Sequence, residues 1–140
     1  MAHKWSSFGP HGLAILGASL ALLIPSGSRA QDGFVTYRAL SPELALEVAR
    51  AALEECRRRD WQVAVVVVDR SGQPQVMLRD RFAGAHTPTT ATGKAWTAVS
   101  FRTNTTDLVG LSAPGQPQAG VRNLPGVVAL GGGILIESKG

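Results

Sequence analysis

Residues 62–69 (QVAVVVVD) restrict what this chain can fold into more than any other stretch. The run is dominated by valine, whose branched side chain favours extended backbone. Polar and apolar positions do not alternate in it, so it reads as a strand covered on both faces rather than one with a wet side. Arg70-Ser71-Gly72-Gln73 follows as a turn in which Gly72 supplies a positive φ. Residues 74–79 (PQVMLR) then return as the second strand of a hairpin. A hairpin buried on both faces needs other elements to cover it, and these are sought in the flanking sequence.

Upstream, Ser41-Pro42-Glu43 has the form of a helix start: a capping hydroxyl, proline at the first helical position and an acid in the first turn. Leu44, Val48, Ala52 and Cys56, with Ala45, Ala49 and Leu53, recur at three- and four-residue spacing and predict an amphipathic helix running to about Arg59. Downstream, Thr87-Pro88 repeats the capping device and predicts a helix to about Phe101. Ala91, Ala95 and Ala98 give that helix a small-residue face suited to close approach to a sheet. A third helical segment is expected over 103–111, and a surface loop over 112–123, where proline, glycine and glutamine concentrate. Residues 127–130 and 134–137 are expected as third and fourth strands, interrupted by Gly131-Gly132-Gly133. Residues 31–40 form a lead-in arm. The pattern is that of an α/β (α+β) domain, an antiparallel sheet with helices packed against it.

The first thirty residues do not belong to that domain. His3, Lys4 and His11 give a weakly basic start, and residues 13–24 (LAILGASLALLI) are an uncharged apolar run broken by Pro25, Ser26 and Gly27. Ser28-Arg29-Ala30 places small residues where a signal peptidase reads. This is the order of a secretory signal peptide over residues 1–30, with cleavage after Ala30. Twelve apolar residues fall short of the roughly 20 that span a bilayer, so no stable membrane span is expected after cleavage. The product is expected to be secreted or periplasmic, as one domain over 31–140.

Lys4 and Arg29 lie in the signal segment, so the remainder is only about two charges positive. The one basic run, Arg57-Arg58-Arg59, sits at a helix end, where cations complement the dipole. No broad basic face with stacking aromatics exists, so nucleic acid is not an expected partner. Cys56 is the only cysteine, which rules out an intrachain disulfide, and no pattern of zinc-ligand spacing is present.

Three segments could carry chemistry. Residues 79–87 bring Arg79, Asp80, Arg81 and His86 to the start of the second helix, at Thr87. A helix N-terminus suits a carboxylate, and a neutral His86 imidazole could ligate a metal or haem iron. The same histidine also reads as an unliganded loop residue. Gly93-Lys94-Ala95-Trp96 offers Lys94 as an anion contact or as an ordinary helix-surface lysine. Trp96 reads as a core or oligomer contact ahead of a cofactor stack. Gly131-Gly132-Gly133 marks either a bulge or the close approach of a ligand or neighbouring backbone. Only His86 survives signal cleavage among the histidines and no nucleophile motif is present, so no hydrolytic triad can be assembled.

Taken in order, these segments resemble the GlcG/HbpS-like haem-binding family, also called the haem-degrading domain. The resemblance runs from Leu40 to the end. It rests on the opening helix, on Val65-Val66-Val67-Val68-Asp69-Arg70-Ser71-Gly72, on Arg79-Asp80-Arg81-Phe82-Ala83-Gly84-Ala85, on Lys94-Ala95-Trp96-Thr97-Ala98, and on the stretch from Pro125-Gly126 to Gly131-Gly132-Gly133. It implies a profilin-like sandwich, homo-oligomers, and haem as cofactor. It also implies a site comprising Arg79, Arg81, His86, Thr87, Lys94 and Gly132, with His86 as the metal ligand on chemical grounds. Relatives continue past the glycine run into a further strand and a last helix, both expected to be missing here. Ile134-Leu135 stands where relatives often carry Val-Pro. The implied function is an exported haem-binding protein for sensing, storage or scavenging. The alternatives are an accessory protein or enzyme acting on a small hydroxy acid or degrading haem, and a non-catalytic interaction module. Enzymatic activity is left open, with the balance of residues against it.

Overall fold

The computed structural model of the chain describes residues 33–138. The expected signal peptide lies outside the described residues. The element order is α1 (Pro42–Arg57), β1 (Ala64–Val68), β2 (Pro74–Arg79), α2 (Thr87–Phe101), α3 (Thr105–Leu111) and a short 3-10 helix (Ala119–Asn123). Among the described residues no helix is long and apolar enough to cross a membrane.

The start of α1 follows the expected chemistry: Leu44 N–H donates to Ser41 Oγ at 3.3 Å, with Pro42 in the first turn. The helix stops two residues earlier than expected. Arg59 N–H and Trp61 N–H both bond back to the Cys56 carbonyl, and Asp60 takes a left-handed φ of 58° that turns the chain away.

β1 and β2 form an antiparallel two-stranded sheet. Val65 faces Leu78, Val66 faces Met77 and Val67 faces Val76. The register then slips, so that Val68 faces Pro74 and Gln75 is the extra residue of a bulge. Val65, Val67, Val76 and Leu78 share one face and pack with Ala45, Ala49, Val48 and Leu40. The two alanines are fully buried, which lets α1 lie close on the sheet. By the two-residue period of a strand, Val66 and Met77 point to the opposite face, and α2 packs on that side of the hairpin. The hairpin is therefore covered by a helix on each face, as its uninterrupted valines require. At the turn, Gly72 has a φ of +80° and lies against the Trp96 ring so closely that a Cβ there would overlap it.

The expected third and fourth strands are not in the sheet. Residues 127–130 and 134–137 have no strand partner among the described residues, and helix side chains meet their backbone instead. Val128 N–H donates to Thr97 Oγ1 at 2.9 Å, Gly133 N–H to Thr105 Oγ1 at 2.7 Å, and Leu135 N–H to Asn104 Oδ1 at 2.9 Å. β propensity alone cannot make a strand, because the ladder needs a neighbour to exchange hydrogen bonds with. The observed fold is thus an α+β arrangement in which helices flank a two-stranded antiparallel sheet.

Candidate functional site

The segment joining β2 to α2 is held at both ends. Asp80, almost fully buried, receives Arg57 Nε at 2.7 Å on Oδ1 and Val63 N–H at 3.2 Å on Oδ2. Its own N–H donates to the Val63 carbonyl at 2.9 Å. The hydrogen bond from Val63, reinforced by the Arg57 guanidinium, holds the Asp80 carboxyl below its ordinary range against the opposing effect of burial. Asp80 is therefore a structural anchor that ties the end of α1 to the end of β2, and it does not pair with His86. One member of the Arg57-Arg58-Arg59 run serves this anchor, while Arg58 and Arg59 pair with Glu55 along the helix.

The far end of the segment is a tight turn. Thr87 N–H and Thr87 Oγ1 both donate to the Gly84 carbonyl, at 3.0 and 2.8 Å. His86 stands at the cap position of α2 with no capping hydrogen bond from its side chain. Its ring lies over Gly84, where an added Cβ would sit 2.8 Å from Cε1. His86 and Arg81 are exposed, and the Arg79 guanidinium donates to the Ala83 carbonyl.

Along α2, Pro88, Thr89, Thr92, Gly93 and Trp96 fall on one side and line an open groove. Met77 of β2 forms one wall, and Gly126, Val127 and Val128 form the other. The groove encloses 540 Å³, within the roughly 300–1,000 Å³ of small-molecule sites. Its surface is mainly apolar, with the Thr89 and Thr92 hydroxyls as its polar side chains beside the Trp96 indole.

Lys94 projects about 160° around the helix from Trp96, away from the groove. Its Nζ donates to the Gly131 carbonyl at 3.0 Å. Gly132, at a φ of +108°, lies directly beneath that ammonium, where a Cβ would come within 2.8 Å of Nζ. A Cβ on Gly133 would sit 2.5 Å from the Lys94 carbonyl oxygen. The glycine run thus answers to close approach of neighbouring backbone, one of the two readings its sequence allowed.

The structure therefore places five of the six expected site residues in three groups and leaves the sixth apart. Lys94 meets Gly132, His86 and Thr87 meet Gly84, and Arg79 meets Ala83, while Arg81 is free among the described residues. His86 and Lys94 are eight residues apart on one helix, about 12 Å along its axis. Sequence reasoning passed over Met77. Its signal was available: it sits between Val76 and Leu78, so it must face away from the core they build. Among the described residues there is no cluster of three or more His, Cys, Asp or Glu side chains placed for a metal ion.

Fold and site together define a small α+β domain with an open apolar groove between a β-hairpin and a helix. Residues 40–140 match the family model described as haem degrading protein HbpS-like. A crystal structure of HbpS superposes with a TM-score of 0.70 at 33% identity, covering 76% of this chain and 74% of that one. A double mutant of HbpS from Streptomyces reticuli gives 0.71 at 29% identity, over 94% and 80% of the two chains. A PduOC:haem complex gives 0.64 at 33% identity, over 68% and 70%. No curated protein matches the chain. The chain belongs to the HbpS-like haem-degrading family.

Proposed function

We propose that this chain binds haem in the groove between β2 and α2, and that it serves haem sensing, storage or scavenging rather than turnover. The observation that carries this reading is the groove itself, found in a chain 33% identical to a protein solved as a haem complex. A flat apolar macrocycle suits a slot walled by Met77, Trp96, Val127 and Val128, and the volume is of the right order. His86, at the N-terminal end of the helix that floors the groove, is the imidazole candidate for the iron. Arg79, Arg81 and Thr87 lie at the same end, where propionates would find cations and a helix N-terminus. Lys94 and Gly132 would contact an anion on the other side of α2. A catalytic reading gains nothing from Asp80, whose carboxylate is already engaged by Arg57 and Val63.

In this reading the helix-flanked hairpin is part of a profilin-like sandwich. The protein is exported by its N-terminal signal, to the periplasm or the exterior, and assembles as a homo-oligomer. The exposed side chains of Leu130, Ile134 and Ile136 support the last point, since exposed apolar side chains favour association.

The test is a haemin titration of the purified chain, followed by Soret absorbance and by tryptophan fluorescence. A saturable Soret shift with quenching that is lost in Trp96→Leu places haem in the groove. A shift that His86→Ala abolishes assigns the imidazole ligand. A featureless titration refutes haem binding. Fractionation of expressing cells and light scattering of the purified protein test export and assembly.

A further inference from the structure

We infer that Met77 is an iron donor within the groove, its thioether sulfur placed to ligate haem iron; the inference rests on the haem reading above. Val76 and Leu78 pack into the α1 core, so the residue between them must face α2. Met77 lies on that face and lines the groove, but is 49% exposed. A methionine used only as core filler would be enclosed, whereas this one presents half of its surface to open space.

Donor chemistry narrows the choice. Thr89 and Thr92 carry hydroxyls, Trp96 carries an N–H that only donates, and the remaining lining side chains are hydrocarbon or absent. The Met77 sulfur is the one soft donor of the lining, and thioether sulfur is an established haem ligand. The His86 ring lies over Gly84 at the N-terminal end of α2, outside this lining, so an imidazole from that end would be a second donor and not a substitute for the sulfur.

The backbone also suits the role. Met77 is in register with Val66 in the middle of the two-stranded ladder, which fixes its Cα more firmly than a loop would. A thioether ligand raises the reduction potential of haem iron. The site would then favour the ferrous state and respond to the redox conditions of its compartment.

The experiment uses the full chain, loaded with haemin, with Met77→Leu and Met77→His as variants. Leucine keeps the shape and apolar character of methionine, so it spares the groove while removing the sulfur. The wild type is expected to show the ferric charge-transfer band of a thioether-ligated haem. Met77→Leu should lose the band and lower the reduction potential of the haem it takes up. Met77→His should give the spectrum of a nitrogen-ligated iron, an outcome available only if position 77 reaches the metal. A wild type that binds haem but shares its ferric spectrum and potential with Met77→Leu overturns the assignment and leaves haem binding standing. A wild type with no Soret shift overturns both.

Discussion

Ala64–Val68 and residues 134–137 are both short, apolar and rich in β-branched side chains, yet one is a strand and the other is not. β1 has β2 beside it, joined by a turn of a few residues, and so finds its hydrogen-bond partner locally. Residues 134–137 have no such neighbour and lean on α3 and its cap: Leu135 N–H reaches Asn104, and Gly133 is clasped by Thr105 through both its N–H and its carbonyl. Burial follows the same division. Val67 is nearly fully buried, whereas Ile134 is 73% exposed. Apolar composition sets the demand for cover, and topology decides whether the demand is met.

Four measurements would break or sharpen that contrast. The largest effect is expected from Leu53→Ala on the buried side of α1, which should cost about 2–4 kcal/mol in chemical denaturation. A smaller loss would mean that the helix-on-hairpin core is less tightly packed than its burial indicates. Thr105→Val should cost about 1–3 kcal/mol, because the Gly133 N–H, buried at 2.7 Å from the Thr105 hydroxyl, would lose its acceptor. No change would show that the C-terminal run does not depend on its helix contacts.

Acid should act on the helix–hairpin half through Asp80. Its folded pKa lies below its ordinary value of 3.8, so its contribution to stability is present above the unfolded pKa and is lost as the pH falls through the folded one. The melting temperature should therefore hold through mild acid and drop only below about pH 4. Asp80→Asn should remove part of that drop. A transition unchanged in the variant would place the acid sensitivity elsewhere. The smallest effect is expected at Ile134→Ser, within about 0.5 kcal/mol, with any larger change appearing in light scattering as lost self-association. Strong destabilisation without a change in assembly would mean that Ile134 packs within its own chain.

The division between legible and illegible follows how local each interaction is. The start of α1 and the hairpin with its Gly72 turn could be read directly, because cap, turn and periodicity lie within a few residues. The bounds of α2 were read as well, but its cap position is His86 and not Thr87, whose hydroxyl turns back to the Gly84 carbonyl. The α1 stop was misplaced by two residues, since Asp60 gives no sequence warning of its left-handed φ. The site was read less completely. His86 and Thr87 at the start of α2 were visible as chemistry beside a helix N-terminus, and Lys94 beside the glycines as a cation near flexible backbone. The Arg57–Asp80 anchor spans 23 positions, and the groove joins Met77 to Trp96 and Val128. Neither distance leaves a pattern in the sequence.

By itself the sequence determined the α+β class, the helix–hairpin–helix order, the need for cover on both hairpin faces, and the family. The class, the order and the need for cover follow from propensity, capping and period, which act along the chain, whereas the family rests on the resemblance of its ordered motifs. Only the tertiary structure decided that the sheet has two strands among the described residues, that the glycine run admits the backbone of α2, and that Met77 rather than His86 lines the groove. Each of these depends on which distant segment lies alongside, and hydrogen bonds and packing across the chain settle that.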